Sequence, residues 1–310
     1  MKRLSLIFTQ TANSSGRATN PTIPLGCRTN PPGAASGFTT QGVTVETAQP
    51  HAGVHIENVS KSFGPDGART LVLNQVSLSI KMGEFVSVIG PSGCGKSTLL
   101  KTVAGLIDAD SGTVMVDGMT VKAATKNKMI GLVPQSPALL PWRTVLDNVR
   151  LPMTVNPKAN ANRNLRDPRE ILESFGLGAA LDKYPGQLSG GMQQRVAIAR
   201  AFVFDPSVLL MDEPFSALDE MNRDAQRLGL LDFWQSNRKA VMFVTHSVPE
   251  AIMLSDRIVV MGAHPGHIAE IIDVPLPRPR TIDVYATDEF RDLEGQVRGT
   301  LREVMGQKSA

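Results

Sequence analysis

The stretch Gly90-Pro-Ser-Gly-Cys-Gly-Lys96-Ser97-Thr98 decides the fold class of this chain. It follows the apolar segment Phe85-Val-Ser-Val-Ile89, which is typical of a buried strand, and it runs into Leu99-Leu100, the apolar start of a helix. A loop of the form G-x-x-x-x-G-K-[ST] between a strand and a helix is typical of a phosphate-binding loop. A glycine-rich turn without a ligand is the alternative, and the flanking strand and helix disfavour it.

The residue types in this loop suit a nucleoside triphosphate with Mg²⁺. Glycines let consecutive backbone N–H groups and the helix N-terminus point at a β-phosphate. Lys96 would neutralise charge on the β- and γ-phosphates, and the Ser97 hydroxyl would reach Mg²⁺. Cys94 is interpreted as a small filler, since no second thiol or base lies near it in the sequence. The predicted nucleotide contacts are Gly90, Pro91, Ser92, Gly93, Cys94, Gly95, Lys96, Ser97 and Thr98.

Two carboxylates follow a second apolar strand. Val208-Leu-Leu-Met211 leads directly into Asp212 and Glu213, and the carboxyl ends of strands flank the ligand crevice in open α/β sheets. Asp212 suits an Mg²⁺ role, and Glu213 suits activation of an attacking water. Alone, an Asp-Glu pair is more typical of a solvated turn. With the phosphate loop upstream, we expect a hydrolytic site.

A second anion site is predicted at Ser189-Gly190-Gly191. Ser189 stands where it can cap a helix that begins at about Gly191, and the glycines let a phosphate approach the helix N-terminus closely. An ordinary capped helix explains the same residues equally well when they are considered alone.

Composition and charge exclude several classes of protein. The 42% hydrophobic content of the 310 residues excludes wholesale disorder, and no apolar run approaches the ~18 residues of a membrane-spanning helix. Two distant cysteines, Cys27 and Cys94, predict neither a disulfide framework nor a zinc site. The net charge of +3 belongs to residues 1–50, so the rest of the chain is neutral. We therefore expect no nucleic-acid partner.

Three regions are expected along the chain. Residues 1–50, rich in Ser, Thr, Asn, Gly and Pro, are predicted to be a disordered N-terminal extension, with an organellar transit peptide as the other interpretation. Residues 51–280 alternate apolar strands with helices, which predicts an α/β domain with a largely parallel sheet. Residues 281–310 carry apolar residues at three- and four-residue steps, which predicts a C-terminal amphipathic helix packed on the domain. A partner-binding helix is the alternative.

In this order, the motifs resemble the nucleotide-binding subunit of an ATP-binding cassette (ABC) transporter. The resemblance spans Val54 to Leu276 and implies an ABC ATPase domain over residues 51–280. That domain would have a P-loop NTPase (RecA-like) α/β core, an antiparallel β flank and an inserted α-helical signature subdomain over roughly residues 136–200. The residues that carry the resemblance are the phosphate loop, Gln135, Ser189–Arg195, Asp212-Glu213, Ser216–Asp219 and His246.

The resemblance implies a head-to-tail dimer that binds ATP and Mg²⁺. Ser189, Gly190 and Gly191 of one chain would close over the ATP held by Lys96 of the other, and Asp219 would cross the interface.

Further roles follow from the same resemblance. Phe63 would stack on adenine, Gln135 would sense Mg²⁺ and couple to the membrane subunit, and His246 would contact the γ-phosphate. Outside the family order, Phe63 and His246 would be interpreted as structural residues. Phe63 stands where Tyr is commoner, Met192 where many members have Gln, and Ser247 where many have Asp. None of these departures removes a reacting group.

Two segments, Gln135–Val149 and Tyr184–Leu188, resemble the importer branch that takes up nitrate, sulfonate, taurine and pyrimidine precursors. This implies transmembrane permease subunits, a second copy of the chain and an extracytoplasmic solute-binding protein as partners. The expected location is the cytoplasmic face of the inner membrane, peripheral through the permease. Leu139, Leu140 and Trp142 would line a groove for a permease coupling helix, or fill the core of the helical subdomain.

Three other functions are weaker. A soluble cassette ATPase of DNA repair or translation would carry coiled-coil insertions, a second cassette or a basic face. In a P-loop kinase or GTPase the signature helix would have no role, and a GTPase needs a guanine-reading Asn-Lys-x-Asp, to which Asn127-Lys-Met-Ile130 is the nearest approach. A regulatory cassette that binds without hydrolysing would lack Glu213, which is present.

Overall fold

The structure, a computed structural model, is built from two β-sheets and the helices packed around them. It describes residues 52–65, 67–155, 157–160, 165–216 and 220–306, so the predicted extension over residues 1–50 lies outside the described residues. The strands of the described part, in chain order, are β1 (Ala52–Phe63), β2 (Thr70–Lys81), β3 (Phe85–Ile89), β4 (Ser111–Val116), β5 (Met119–Thr120), β6 (Ile130–Val133), β7 (Val208–Asp212), β8 (Ala240–Val244), β9 (Arg257–Gly262) and β10 (His267–Asp273).

The helices of the same residues alternate with the later strands. In chain order they are α1 (Lys96–Val103), α2 (Val121–Lys126), α3 (Val145–Thr154), α4 (Pro157–Asn160), α5 (Pro168–Ser174), α6 (Gly190–Phe202), α7 (Glu220–Asn237), α8 (Val248–Leu254) and α9 (Asp288–Gly306). Within this part of the chain, none of the helices is both long and apolar enough to cross a membrane.

The larger sheet has the order β10-β9-β3-β8-β7-β6. The five strands from β9 to β6 run parallel, and β10 pairs antiparallel with β9 at one edge. Every residue of β3 and of β8 is buried, as expected for parallel strands covered by helices on both faces. The predicted α/β class is confirmed.

The smaller sheet is antiparallel, with the order β2-β1-β4-β5. Its strand β2 alternates between buried and exposed residues, which is typical of a sheet with one face in the core and one in water. The buried face packs on α1 and on the parallel sheet, in a core that includes Val54, Leu78, Leu99 and Val244. This sheet is the antiparallel flank.

The Pro- and Asn-rich middle of the chain contains helices. Side-chain oxygens cap the N-termini of α3, α5 and α6: Thr144, Asp167 and Ser189 each accept a backbone hydrogen bond in the first turn. Pro152 lies in the last turn of α3, which ends two residues later. These helices pack together with β7, α7 and the Phe85 ring in one hydrophobic core.

The C-terminal helix α9 packs against α8 and β9. Phe290 and Val297 are buried there, and Leu293, Leu301 and Val304 pack around them. Met305 follows the same spacing but is exposed. It lies in the last turn of α9.

Candidate functional site

The glycine loop connects β3 to α1 and lines a cleft. Gly95 caps α1 with a φ of 95°, a conformation that suits glycine. A Cβ atom there would lie 2.7 Å from Cδ2 of Leu73. Gly93 also has a positive φ, 78°. The cleft has a volume of about 290 Å³, and its lining residues are Val72, Ser92, Gly93, Gly95, Lys96, Ser97, Thr98 and Glu213.

Lys96 is held inside the loop. Its Nζ donates to the carbonyl oxygens of Gly90 at 2.8 Å and Pro91 at 3.0 Å, and the residue is only 8% exposed. The sulfur of Cys94 lies 3.8 Å from the same nitrogen. Burial raises the pKa of the Cys94 thiol above its ordinary value although the charge of Lys96 opposes the shift. The thiol therefore stays protonated, and Lys96 supplies the positive charge of the loop.

The turn at Gly266, which was not predicted from the sequence, packs against the glycine loop. Gly266 donates its N–H to the Val72 carbonyl at 2.9 Å and accepts from Asn74 at 2.8 Å. A Cβ atom on Gly266 would lie 2.2 Å from the Cys94 carbonyl oxygen, so only glycine allows this approach. The dipeptide Pro265-Gly266 is a turn signal, but nothing in its sequence context indicates the loop as its neighbour.

Ser97 and Asp212 come together at the end of the parallel strands. The Ser97 hydroxyl, in the first turn of α1, donates to Oδ1 of Asp212 at 2.9 Å. Asp212 is the last residue of β7, two strands away from β3 in the sheet. A hydroxyl and a carboxylate supply the oxygen ligands that Mg²⁺ prefers.

Glu213 contacts two of the other predicted residues. Its Oε2 lies 3.1 Å from Nδ1 of His246 and accepts from Nε2 of Gln135 at 3.4 Å. Gln135 follows β6 and His246 follows β8, so the ends of neighbouring parallel strands bring them to β7. The Glu213 side chain is 23% exposed and lines the cleft. A carboxylate in this position can accept a proton from a water beside a bound phosphate.

The predicted second anion site lies apart from the cleft. Ser189 caps α6, and its hydroxyl accepts from the Met192 N–H at 3.3 Å. Ser189 and Gly190 are exposed, whereas Gly191 is buried. None of the three belongs to the lining of the cleft described above. The predicted interface residue Asp219 lies outside the described residues.

Phe63 ends β1 and is 42% exposed. It pairs with Thr70 across the hairpin, two residues before Val72 of the cleft. Asp110 anchors this strand end, because its carboxylate accepts from Nζ of Lys61 at 2.8 Å and from the Ser62 N–H at 2.7 Å. The Lys61 hydrogen bond is the main cause that holds the pKa of Asp110 below its ordinary value. Nζ of Lys61 lies 5.5 Å from the centroid of the Phe63 ring, and the exposed part of the ring carries the π-surface that stacking on adenine would need.

The three residues predicted to line a groove differ in burial. Trp142 is 70% exposed, whereas Leu139 packs against the hydrophobic core that α3, α5 and α6 share. Leu140 is partly exposed, and its backbone is bonded to the buried amide of Asn148.

Comparison with known proteins supports one family. The profile of the ABC transporter family matches residues 73–216. An uncharacterized ABC transporter ATP-binding protein of Methanocaldococcus jannaschii is 47% identical over 227 residues, 73% of this chain and 83% of that protein. The aliphatic sulfonates import ATP-binding protein SsuB of Bacillus cereus is 41% identical over 238 residues, 77% of this chain and 92% of that protein.

A longer relative and a solved structure indicate the same family. The bicarbonate transport ATP-binding protein CmpC of Synechocystis sp. is 44% identical over 248 residues, 79% of this chain but only 37% of that protein. A dimeric ATP-binding cassette in a post-hydrolysis state, bound to ADP and Pi, superposes with a TM-score of 0.61 at 31% identity, covering 72% of this chain and all of that one. The chain therefore belongs to the ABC transporter family, as an ABC-type ATPase with the P-loop NTPase fold of that family's ATP-binding cassettes.

Proposed function

We propose that this ATPase energises the import of a small solute through separate permease subunits. The relatives named for sulfonate and for bicarbonate transport support an importer of small anions, and the branch resemblance adds nitrate, taurine and pyrimidine precursors. The observation that carries the hydrolytic part is the convergence of Gln135 and His246 on Glu213 beside the glycine loop.

The chain's own residues bind and orient ATP. Backbone N–H groups of the loop and the N-terminus of α1 hold the β-phosphate, and Lys96 lies where it can donate to the β- and γ-phosphates. Phe63 stacks on the adenine.

Mg²⁺ fits the same cleft. The described residues contain no group of three or more His, Cys, Asp or Glu side chains able to hold a metal alone. The Ser97 hydroxyl, the Asp212 carboxylate and the Gln135 amide oxygen are the groups that would hold the ion beside the bound nucleotide. When bound, Mg²⁺ neutralises charge on the phosphates. The direct Ser97–Asp212 hydrogen bond at 2.9 Å supports this donor set.

Glu213 acts as the general base and His246 orients the γ-phosphate. Glu213 takes the proton from the attacking water, and Gln135 fixes the carboxylate from the side of β6. His246 contacts Glu213 through Nδ1, which leaves the other ring nitrogen, Nε2, for the phosphate.

Hydrolysis requires two copies of the chain. Lys96 and Ser189 both lie at helix N-termini suited to phosphate, but Ser189 does not line the cleft of its own chain. A two-fold dimer places the exposed Ser189 and Gly190 of each copy over the ATP of the other, with Gly191 allowing close approach. Asp219 would cross this interface. The dimeric cassette among the structural relatives supports the arrangement.

A groove beside the Gln135 loop supports coupling to a permease. A cavity of about 380 Å³ is lined by apolar residues of β6, α3 and α6, among them Ile130, Leu151 and Ala201, and by Phe204, which follows α6. Arg200, which also lines it, donates to the carbonyls of Pro137 and Ala138 just after Gln135. A permease coupling helix bound in this cavity would be linked to the nucleotide site through the loop that follows Gln135. The same contact would hold the chain at the cytoplasmic face of the inner membrane. A solute-binding protein would deliver the solute outside.

The hydrolytic proposal is tested with Glu213→Gln, which fills the same space but cannot take a proton from water. ATP should still bind while steady-state turnover falls at least about a hundredfold. Glu57→Gln, an exposed carboxylate on β1, is the matched control and should hydrolyse ATP normally. Full turnover by Glu213→Gln would remove Glu213 from the chemistry.

The importer proposal is tested by purification from membranes. Permease subunits should co-purify with the tagged chain. The solute-binding protein that works with these subunits should bind a small anion or a pyrimidine precursor. A soluble ABC-type ATPase that is not coupled to transport is the alternative, and recovery of the chain without any membrane subunit from its native source would favour it.

A further inference from the structure

The residues on either side of His246 are tied together by one buried hydroxyl. Thr245, between the end of β8 and His246, is 2% exposed. Its Oγ1 donates to Oε2 of Glu250 at 2.6 Å and accepts from the Ser247 N–H at 3.0 Å. One hydroxyl therefore binds the residue after His246 and, through Glu250, the first turn of α8.

Glu250 is itself fixed by a buried ion pair. It is 5% exposed, and its second carboxylate oxygen accepts from Nη2 of Arg227 on α7 at 2.9 Å. Burial lowers the pKa of Arg227, but the hydrogen bond and charge of Glu250 outweigh it, so the pKa lies above its ordinary value. A buried carboxylate bonded on both oxygens has little freedom to move.

The ion pair connects outward to the C-terminal segment. Arg227 also donates to Asp224 at 2.7 Å and to the Tyr285 hydroxyl at 3.3 Å. The network therefore fastens α7, α8 and the segment before α9 around the loop that carries His246.

His246 itself lacks such packing. Its side chain is 59% exposed and lies 3.1 Å from Glu213 through Nδ1. Since this is its one side-chain hydrogen bond among the described residues, the position of the imidazole depends on that contact and on the backbone that carries it, and a displacement of ~1 Å at a reacting group can cost about a hundredfold in rate. The orientation of His246 thus depends on what holds residues 245 and 247.

We infer that Thr245 is a positioning residue for ATP hydrolysis. Its hydroxyl fixes the backbone on both sides of His246 and so directs the imidazole to Glu213 and the γ-phosphate. This inference rests on the proposed function, in which His246 contacts that phosphate.

The test compares Thr245→Val with Thr245→Ser. Valine keeps the shape of threonine and removes the hydroxyl, whereas serine keeps the hydroxyl. Thr245→Val should lower kcat by between about tenfold and a hundredfold while the Kd for ATP stays within about twofold, and Thr245→Ser should recover most of kcat. Wild-type kcat in Thr245→Val, or equal losses in both variants, would overturn the inference. If Thr245→Val does not fold, Thr245→Ala removes the same hydroxyl without placing a methyl group against Glu250.

Thr300→Val is the matched control. Thr300 is 9% exposed and donates to a carboxylate, Glu270, in the contact between α9 and β10. This variant loses the same kind of hydrogen bond away from the nucleotide cleft, so its kcat should match the wild type. An equal loss of kcat in Thr300→Val would mean that the Thr245 effect is general destabilisation, against the inference.

A double-mutant cycle separates positioning from other effects. In a His246→Ala background, Thr245→Val should change kcat by less than about twofold, because the group it positions is gone. A full additional loss there would contradict the inference. If His246→Ala alone keeps wild-type turnover, the proposed role of His246 and the inference fall together; if His246→Ala is slow and Thr245→Val is not, only the inference falls.

Discussion

Replacing Lys96 with alanine removes the only side-chain charge that the glycine loop holds among the described residues. The ammonium of Lys96 is 8% exposed and is directed by the carbonyls of Gly90 and Pro91, so water screens it little. A hydrogen bond to a charged group contributes ~1.5–3 kcal/mol. We therefore expect Lys96→Ala to weaken Mg-ATP binding by between about tenfold and a hundredfold. Binding does not vanish, since the loop N–H groups and the α1 N-terminus remain.

The assay is equilibrium titration of folded protein with Mg-ATP. Lys101→Ala is the control, because it removes the same charge from an exposed position of the same helix. Thermal unfolding checks that each variant is native. ATP affinity equal to the wild type in folded Lys96→Ala, or an equal loss in Lys101→Ala, would refute a specific role for Lys96.

Three further outcomes are expected. Gly95→Ala should lower Tm more than Gly93→Ala does. Both residues have a positive φ, but only at Gly95 would a Cβ atom contact Leu73, at 2.7 Å. An equal decrease in Tm in the two variants would show that the Leu73 side chain moves away. Phe63→Ala should weaken ATP binding, and Phe63→Tyr should preserve it because the stacking face is kept; an unchanged Kd in Phe63→Ala would place adenine elsewhere. Deletion of residues 1–50 should leave Tm and turnover nearly unchanged, because every motif lies downstream; a large loss would mean that they contribute to the body.

Sequence reasoning reached the parts of the site that local chemistry specifies. A phosphate-binding loop requires glycines followed by a Lys and a Ser or Thr wherever it occurs. The apolar run of residues 208–211 in turn indicates a strand that leads into Asp212 and Glu213. The parallel sheet followed from the same runs, since strands buried on both faces are continuously apolar.

The parts that it missed depend on contacts that no local pattern of residue types indicates. Strand β10 has a mixed burial pattern and no strong period, so its pairing with β9 was not predicted. Thr245 and Glu250 are ordinary polar residues until β8 and α8 bring them within 2.6 Å. The resemblance implied a helical subdomain over roughly residues 136–200 but not where its helices begin; side-chain caps at Thr144 and Asp167 set the starts of α3 and α5.

The difference in burial between Leu139 and Trp142 was likewise not predictable from local sequence. Both are large apolar residues in one short segment, but only Leu139 faces the helical core, whereas Trp142 is 70% exposed. Spacing within a loop does not determine which side chains it buries.

Size-exclusion chromatography of Glu213→Gln with and without Mg-ATP tests the composite two-chain site most directly. Because this variant binds ATP but cannot hydrolyse it, the closed pair of chains should accumulate. We expect a monomer without nucleotide and a dimer at saturating Mg-ATP. Ser189→Arg in the same background should abolish the dimer, because the long arginine side chain fills the space that the partner's γ-phosphate must occupy. Strictly monomeric elution at saturating Mg-ATP and high protein concentration, with wild-type turnover per chain independent of concentration, would contradict hydrolysis between two copies.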